Sequence, residues 1–206
     1  LSVLVLYSSA LVLPASVALL LAILTRLLVT GCLHEDGLAD FFDGFGGGTS
    51  RERTLEIMKD SHIGSYGVIG LIFYFALYYA MLHALPLPVA GAVMLAGDPF
   101  SKGVAAMIIN RLPYARTAET AKNKTVYSQM SLSEYLFCIL SALIPLVWLP
   151  DVSYLWALLF PVITWYLLTS FMKRKINGYT GDCCGATFLL CELSFYLGSL
   201  LVYQMK

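Results

Sequence analysis

The sequence predicts an all-α fold, a polytopic helix bundle integral to a membrane with about six to seven transmembrane helices. Hydrophobic residues make up 59% of the 206 residues and charged residues only 13%, and the mean hydropathy is +0.76. A helix needs about 20 apolar residues to cross a bilayer, and the chain contains several runs of about that length separated by prolines. This composition excludes most classes of soluble domain.

The predicted crossings are separated by turns and polar connections in which we find no soluble domain, so residues 1–206 are predicted to form a single membrane domain. One helix ends before Pro14. The further crossings lie at about Ala15–Val29, Tyr66–Leu85, Leu87–Ile109, Leu132–Leu149, Tyr154–Met172 and Gly185–Tyr203. Because Leu1 stands inside an apolar run without Met or a basic segment, we expect a native N-terminal part to be missing before it.

The positions of basic residues predict the orientation. They occur in three connections and are absent from the turns near Pro86 and Asp151; the connections carry Arg51, Arg53 and Lys59, then Arg111, Arg116, Lys122 and Lys124, then Lys173, Arg174 and Lys175. The positive-inside rule makes the basic side cytoplasmic. The polar segment 31–65 is therefore predicted to be a cytoplasmic catalytic loop that includes an amphipathic helix.

Net charge and cysteine usage limit the kinds of binding partner and metal site that the sequence predicts. The formal charge is zero, which argues against nucleic acid as a partner. The five cysteines are odd in number and show no CxxC spacing, so we expect neither disulfides nor a zinc site. The lipid bilayer is an expected partner, and the sequence leaves a homo-oligomer open.

The strongest chemical signal is an acidic stripe formed by Asp36, Asp40 and Asp43. Their spacing of i, i+4 and i+7 puts the three carboxylates on one face of a helix, where they repel each other unless a cation lies against them. Carboxylates are hard ligands that suit Mg²⁺, Mn²⁺ or Ca²⁺. Mg²⁺ is favoured, because two such ions shared by the carboxylates would clamp a pyrophosphate. The alternative is a solvated acidic face. His34 and Glu35 flank the stripe as ligands or as hydrogen-bond partners of ligands.

The glycine run that follows the stripe predicts a phosphate-binding segment containing Gly46 and Gly47. Thr49 and Glu52 fit a capping box, so a new helix should begin near Ser50 and offer amide N–H groups to an anion. The alternative is a simple helix stop with a flexible loop. The new helix is predicted to be amphipathic, with Leu55, Ile57 and Met58 on the membrane surface.

Further polar residues near this segment are candidates for contacting substrate. Arg51, Arg53 and Lys59 would neutralise phosphates, or else reach to lipid headgroups. Asp60 would complete the metal site, and His62 would contact the substrate.

Charged residues within or beside the later apolar runs each allow two interpretations. Asp98 and Lys102, at i and i+4, form an ion pair, or Lys102 contacts a substrate phosphate from the bundle interior. Asp182, in a glycine-bracketed turn, caps the last helix or faces the metal site. Glu192 lies inside an apolar run and is expected to have a polar partner there.

Three blocks of sequence carry a resemblance to a known family. They read HEDGLADFFDG from His34, RTLEIMKDSHIGSYG from Arg53 and GYTGDCCGA from Gly178. Together they resemble the adenosylcobinamide-GDP ribazoletransferases, which are also called cobalamin synthases. The similarity runs from about Val17 to the last helix. The resemblance implies a multi-pass, magnesium-dependent transferase of the prokaryotic cell inner membrane, with its active site on the cytoplasmic face. It would join adenosylcobinamide-GDP to alpha-ribazole or its 5′-phosphate and release GMP.

The resemblance also implies roles for single residues. Asp36, Asp40 and Asp43 would be the metal ligands, Asp60 a metal ligand or a base, and Asp182 the next candidate. Two features depart from the family: a segment before Leu1 is absent, and Leu189 stands where the first of two acids is expected.

Two other classes of membrane protein share parts of this pattern. CDP-alcohol phosphotransferases also hold metal on spaced aspartates, but their motif DGxxAR contains an arginine, whereas this chain reads DGLADF from Asp36 and lacks it. A cation transporter would place its carboxylates near the bilayer midplane, whereas here they are predicted at the membrane face.

Overall fold

The computed structural model describes residues 1–116 and 128–206, and most of them are helical. The one β-bridge in these ranges joins Tyr114 and Tyr179. The helices are α1 (Ser2–Ala10), α2 (Ala15–Thr30), α3 (Leu33–Gly47), α4 (Arg51–Ile57), α5 (Ser65–His83), α6 (Leu87–Ala106), α7 (Ile108–Arg111), α8 (Leu132–Leu143), the 3₁₀ helices Ile144–Trp148 and Val152–Leu158, α9 (Leu159–Ile176) and α10 (Gly181–Gln204). The all-α prediction is confirmed.

Within the described ranges, four helical segments are long and apolar enough to cross a membrane: Ser65–His83, Leu87–Arg111, Val152–Ile176 and Gly181–Gln204. A fifth crossing is added if α2 and α3, which meet at an angle of 89°, count as one broken span. The apolar segment Leu132–Trp148 is shorter than these, and so is α1. The polytopic membrane bundle is therefore confirmed, but the described residues contain four or five such spans rather than the predicted six to seven.

Sequence features at the helix ends explain the boundaries. Pro14 and Pro86 precede α2 and α6, where proline lacks only an N–H that a helix start leaves unused. Gly31 ends α2 with φ of 62°, a conformation that glycine adopts without strain. Ser131 and Glu134 form a complete capping box at α8.

The segment 31–65, predicted as a loop with one amphipathic helix, consists mainly of α3 and α4. α3 runs on through Gly47, so the glycine run belongs to a helix end, as the alternative interpretation had it. α4 begins as expected, but its cap is Ser50, which accepts the N–H of Arg53, rather than Thr49. Met58, predicted on the membrane surface, is fully buried against Gly44.

Two glycines allow α3 to approach α10 closely. A Cβ on Gly37 would lie 3.1 Å from backbone atoms of Asp182, and one on Gly185 would lie 3.2 Å from the carbonyl oxygen of His34. Such distances are tighter than most Cβ contacts, so a side chain at either position would require the neighbouring backbone to shift by a few tenths of an ångström. The packing brings the start of the acidic stripe next to the first turn of α10.

Candidate active site

A cavity of about 500 Å³ lies between the N-terminal end of α3, the C-terminal half of α6 and the first turn of α10; we call it the Asp36 cavity. Four predicted site residues line it: His34, Asp36, Lys102 and Asp182. His34, which flanks the acidic stripe in the sequence, shares this cavity with Asp36. Phe188 adds an aromatic wall, with its ring 4.9 Å from that of His34.

The turn before α10 places Asp182 in this cavity. The cap of α10 is Thr180, whose hydroxyl accepts the N–H of Cys183. The interpretation of Asp182 as the capping residue is therefore wrong. Its carboxylate lies in the first helical turn, where a negative charge is favoured by the helix dipole, and it lines the same cavity as Asp36.

A second cavity, of about 590 Å³, lies at the other end of α3, between that helix, α4 and the start of α5; we call it the Asp43 cavity. Six predicted site residues line it: Asp43, Gly47, Arg53, Lys59, Asp60 and His62. The acidic stripe thus runs along α3 from one polar cavity to the other. This arrangement offers separate polar surfaces for two reactants.

Three predicted residues line neither cavity. Asp40 lies on the same face of α3, one turn beyond Asp36. Gly46 lines an apolar cavity of about 600 Å³ instead of a phosphate-binding one. The guanidinium of Arg51 donates to the carbonyls of Ile176 and Ala115, at 2.9 and 2.8 Å, so here it ties α4 to the end of α9.

The buried Asp43 carboxylate binds backbone rather than side chains. One oxygen accepts the N–H of Gly64 at 2.7 Å and the other accepts the N–H of Gly67 at 2.8 Å. Both amides belong to the start of α5, where a helix leaves its first N–H groups without internal partners. Asp43 therefore joins α3 to α5.

The geometry of the acidic stripe separates Asp36 from Asp43, two of the three predicted metal ligands. The rise of a helix separates Asp36 from Asp43 by about 10 Å along the axis, and the two residues line different cavities. In residues 1–116 and 128–206, no group of three or more His, Cys, Asp or Glu side chains is arranged to hold a metal ion. Mg²⁺ needs only one or two protein carboxylates when phosphate oxygens complete its shell. Asp36 and Asp182 fit that smaller requirement.

A buried polar cluster lies beside the Asp36 cavity and centres on Arg26 of α2. Its guanidinium pairs with Glu192 at 2.5 Å and with Glu35 at 3.0 Å, and it donates to the hydroxyl of Tyr74 at 2.6 Å. Tyr196 donates to Glu192 at 2.6 Å. These contacts fasten α3 to α2, α5 and α10.

The predicted polar partner of Glu192 is confirmed, but sequence reasoning did not identify it as Arg26. A signal was present, because Arg26 is the one charged residue in the apolar run Ala15–Val29, and such residues usually face a partner inside a bundle. Glu35 also belongs to this cluster, on the side of α3 away from Asp36.

Lys102 has two roles in the structure. Its ammonium lies 2.8 Å from the carboxylate of Asp98, which confirms the ion-pair interpretation. It also lies 4.9 Å from the centre of the Phe188 ring and lines the Asp36 cavity, where it faces any anion bound there.

Two exposed pairs edge the Asp43 cavity. Arg53 lies 2.7 Å from Glu56, and the ring of His62 lies 2.6 Å from Asp60. The hydrogen bond between the latter two raises the pKa of His62 above its ordinary value and lowers the pKa of Asp60. A proton on the His62 ring is thus favoured beside the cavity.

Comparison with known proteins connects these cavities to a function. The sequence model of the family described as cobalamin-5-phosphate synthase matches residues 1–200. The chain belongs to this family. Three similar curated proteins are all named adenosylcobinamide-GDP ribazoletransferase. That of Shewanella putrefaciens is 42% identical over 92% of this chain and 74% of its own length, that of Shewanella frigidimarina 40% over 97% and 77%, and that of Shewanella amazonensis 41% over 98% and 80%.

No solved structure matches the chain significantly. The family confirms the resemblance seen in the three sequence blocks, and it confirms the prediction of a transferase of cobalamin synthesis. The matches therefore favour the cobalamin synthase family over the CDP-alcohol phosphotransferase and cation-transporter alternatives.

Proposed function

We propose that this chain joins adenosylcobinamide-GDP to alpha-ribazole, or to its 5′-phosphate, giving adenosylcobalamin or its 5′-phosphate and releasing GMP. The observation that carries the proposal is the identity of 40 to 42% with relatives of that name over at least 92% of the chain. The two polar cavities at the ends of the acidic stripe agree with a reaction between two large substrates.

In this reaction a ribose hydroxyl attacks the phosphorus that is bonded to cobinamide, and the bond from that phosphorus to the oxygen of GMP breaks. The hydroxyl proton must be accepted, and the imidazole of His34 lines the Asp36 cavity as an acceptor. Lys102 faces the same space and would stabilise the negative charge of the phosphate groups.

Mg²⁺ supplies positive charge against a pyrophosphate when it is bound. Asp36 and Asp182 are the residues that would hold it, with Asp40 one turn farther along α3. Because phosphate oxygens would complete the coordination, a pair of protein carboxylates is sufficient. The proposed cofactor is therefore one that binds together with the nucleotide substrate.

We place this site at the cytoplasmic face of the cell inner membrane. The bond from Arg51 to Ile176 brings the basic residues of α4 and those at the end of α9 to the same end of the bundle. A cluster of basic residues at one end indicates the cytoplasmic side. Lys122 and Lys124, which belong to the same sequence prediction, lie outside the described residues.

The test is a reconstituted reaction with the purified protein in detergent. Adenosylcobinamide-GDP is incubated with alpha-ribazole or its 5′-phosphate, with and without Mg²⁺, and the corrinoid product and GMP are separated by chromatography. We expect both products in equal amounts and only with Mg²⁺. GMP release without a joined corrinoid would indicate hydrolysis and overturn the proposal.

Two variants test the assigned residues. Asp36→Asn and Asp182→Asn each replace a proposed metal-binding carboxylate with a neutral amide, and we expect turnover to fall by about 100-fold or more. The matched control is Glu52→Gln, which neutralises an acid whose side chain is 78% exposed, and its activity should stay near that of the unmodified protein. Near-normal activity of both aspartate variants would exclude the assignment.

A further inference from the structure

We propose that Asp43 is a positioning residue: it fixes the segment from Met58 to Gly64 beside the Asp43 cavity by capping α5, and it does not hold the metal ion. This inference rests on the proposed function for its kinetic test alone. It gives the third acid of the stripe a role different from that of Asp36 and Asp40.

The contacts of Asp43 are those of a helix cap supplied by another helix. Gly64 is the N-cap of α5 and has no side chain with which to cap it. The N–H groups of Gly64 and of Gly67, at the third position of the helix, are both bound by the Asp43 carboxylate. A negative charge at this end of a helix is also favoured by the helix dipole.

The two glycines make room for the carboxylate. A Cβ on Gly64 would lie 2.5 Å from one Asp43 oxygen, and a Cβ on Gly67 would lie 2.5 Å from the other. Any side chain at either position would displace the carboxylate or the helix. Asp43, Gly64 and Gly67 therefore act as one unit, and the carboxylate has a fixed orientation.

The segment held in this way carries candidate substrate contacts. At its start, Met58 is fully buried against Gly44, and at its end Gly64 is bound to Asp43. The two anchors are thus consecutive residues of α3. Between them lie Lys59, Asp60 and His62, which line the Asp43 cavity, so loss of the Asp43 anchor would release these three side chains from their positions.

The kinetic test compares two variants whose only common effect is to disturb the cap that Asp43 forms on α5. Asp43→Asn removes the charge of the acceptor, and Gly67→Ala pushes the carboxylate off its donor. We expect both to lower kcat/KM for adenosylcobinamide-GDP by about 10- to 100-fold, with KM raised. The Mg²⁺ concentration for half-maximal activity should stay within about twofold. Glu52→Gln and Val68→Ala, which touch neither the cap nor the cavity, serve as the controls.

A metal ligand would give a different pattern. If Asp43→Asn raises the Mg²⁺ requirement by about tenfold or more while Gly67→Ala leaves it unchanged, Asp43 holds the ion and the inference is overturned. Near-normal kinetics of Gly67→Ala would overturn it as well.

Hydrogen exchange separates this inference from the proposed function, because it needs no turnover. In the intact protein in detergent, the amides of residues 58–67 should exchange faster in Asp43→Asn and Gly67→Ala than in the two controls. If the amides of residues 58–67 keep their protection in both variants, the inference is overturned even if the enzyme is active. Gly64→Ala is the second variant for both measurements should Asp43→Asn fail to fold.

Discussion

The two ends of α3 are held in the bundle by different physical means. At the N-terminal end, Glu35 is paired with Arg26 in a buried cluster that also contains Glu192. At the C-terminal end, Asp43 is bound by the amides of Gly64 and Gly67. The first arrangement depends on the attraction between one guanidinium and two carboxylates, whereas the second uses N–H groups that any helix start leaves available.

The comparison explains how an acidic helix can be kept rigid. Burying ions costs several kcal/mol for each ion unless their charges are matched and hydrogen-bonded. Capping by a carboxylate requires close approach instead, which the glycines provide. Between the two anchors, Asp36 and Asp40 share the remaining face of α3, so the anchors fix the position of the proposed metal-binding residues.

The largest effect on stability is expected when the charge balance at the N-terminal anchor is broken. Arg26→Met leaves the carboxylates of Glu35 and Glu192 buried without their cation, and we expect a loss of about 3 to 5 kcal/mol in the free energy of unfolding. Unfolding in detergent measures it. The matched control is Arg53→Met, which breaks a pair at the surface and should cost less than about 1 kcal/mol. Equal effects of the two variants would contradict the comparison.

A smaller effect is expected at the C-terminal anchor. Asp43→Ala leaves two amide N–H groups of α5 without their acceptor, and because no full charge is stranded we expect a loss of about 1 to 3 kcal/mol. The same unfolding assay applies. A loss as large as that of Arg26→Met would contradict the view that stranding buried charges costs more than removing a helix cap.

Neutralising one acid of the buried cluster should lower the free energy of unfolding by less than Asp43→Ala does. Glu35→Gln keeps an oxygen toward Arg26 and leaves one guanidinium facing the single carboxylate of Glu192. We expect a loss of about 1 kcal/mol, measured by unfolding beside Arg26→Met. A loss above that of Asp43→Ala would show that the cluster requires both carboxylates.

The smallest effect concerns the exposed pair of Asp60 and His62 and depends on pH. The pKa of His62 is raised from its ordinary 6.5, so its contribution to stability is complete below pH 6.5 and is lost as the pH rises through the raised value. The pKa of Asp60 is lowered from 3.8, so its contribution is lost as the pH falls through the lowered value. NMR titration of the His62 ring should show the raised pKa, and Asp60→Asn should return it toward 6.5. An unchanged titration in that variant would contradict the pairing.

The sequence predicted the class of fold because apolar length decides whether a helix can cross a bilayer. It also predicted ten of the residues that line the two polar cavities, since carboxylates, glycines and basic residues were spaced as a helix and its cap require. It failed where a residue's neighbour is distant in the chain. Met58 is buried by Gly44, and the partner of Glu192 is Arg26, although neither contact follows from helical spacing.

The amino-acid sequence by itself determined that this chain is a membrane-embedded α-helical enzyme of one family, because hydropathy and short motifs are local properties. Only the tertiary structure decided what each acid does. Glu35, Asp36 and Asp43 lie within three turns of one helix and look alike in the sequence, but one faces a guanidinium, one a cavity and one a pair of amides. Those surroundings come from α2, α5 and α10, and the environment of a carboxylate sets its chemistry.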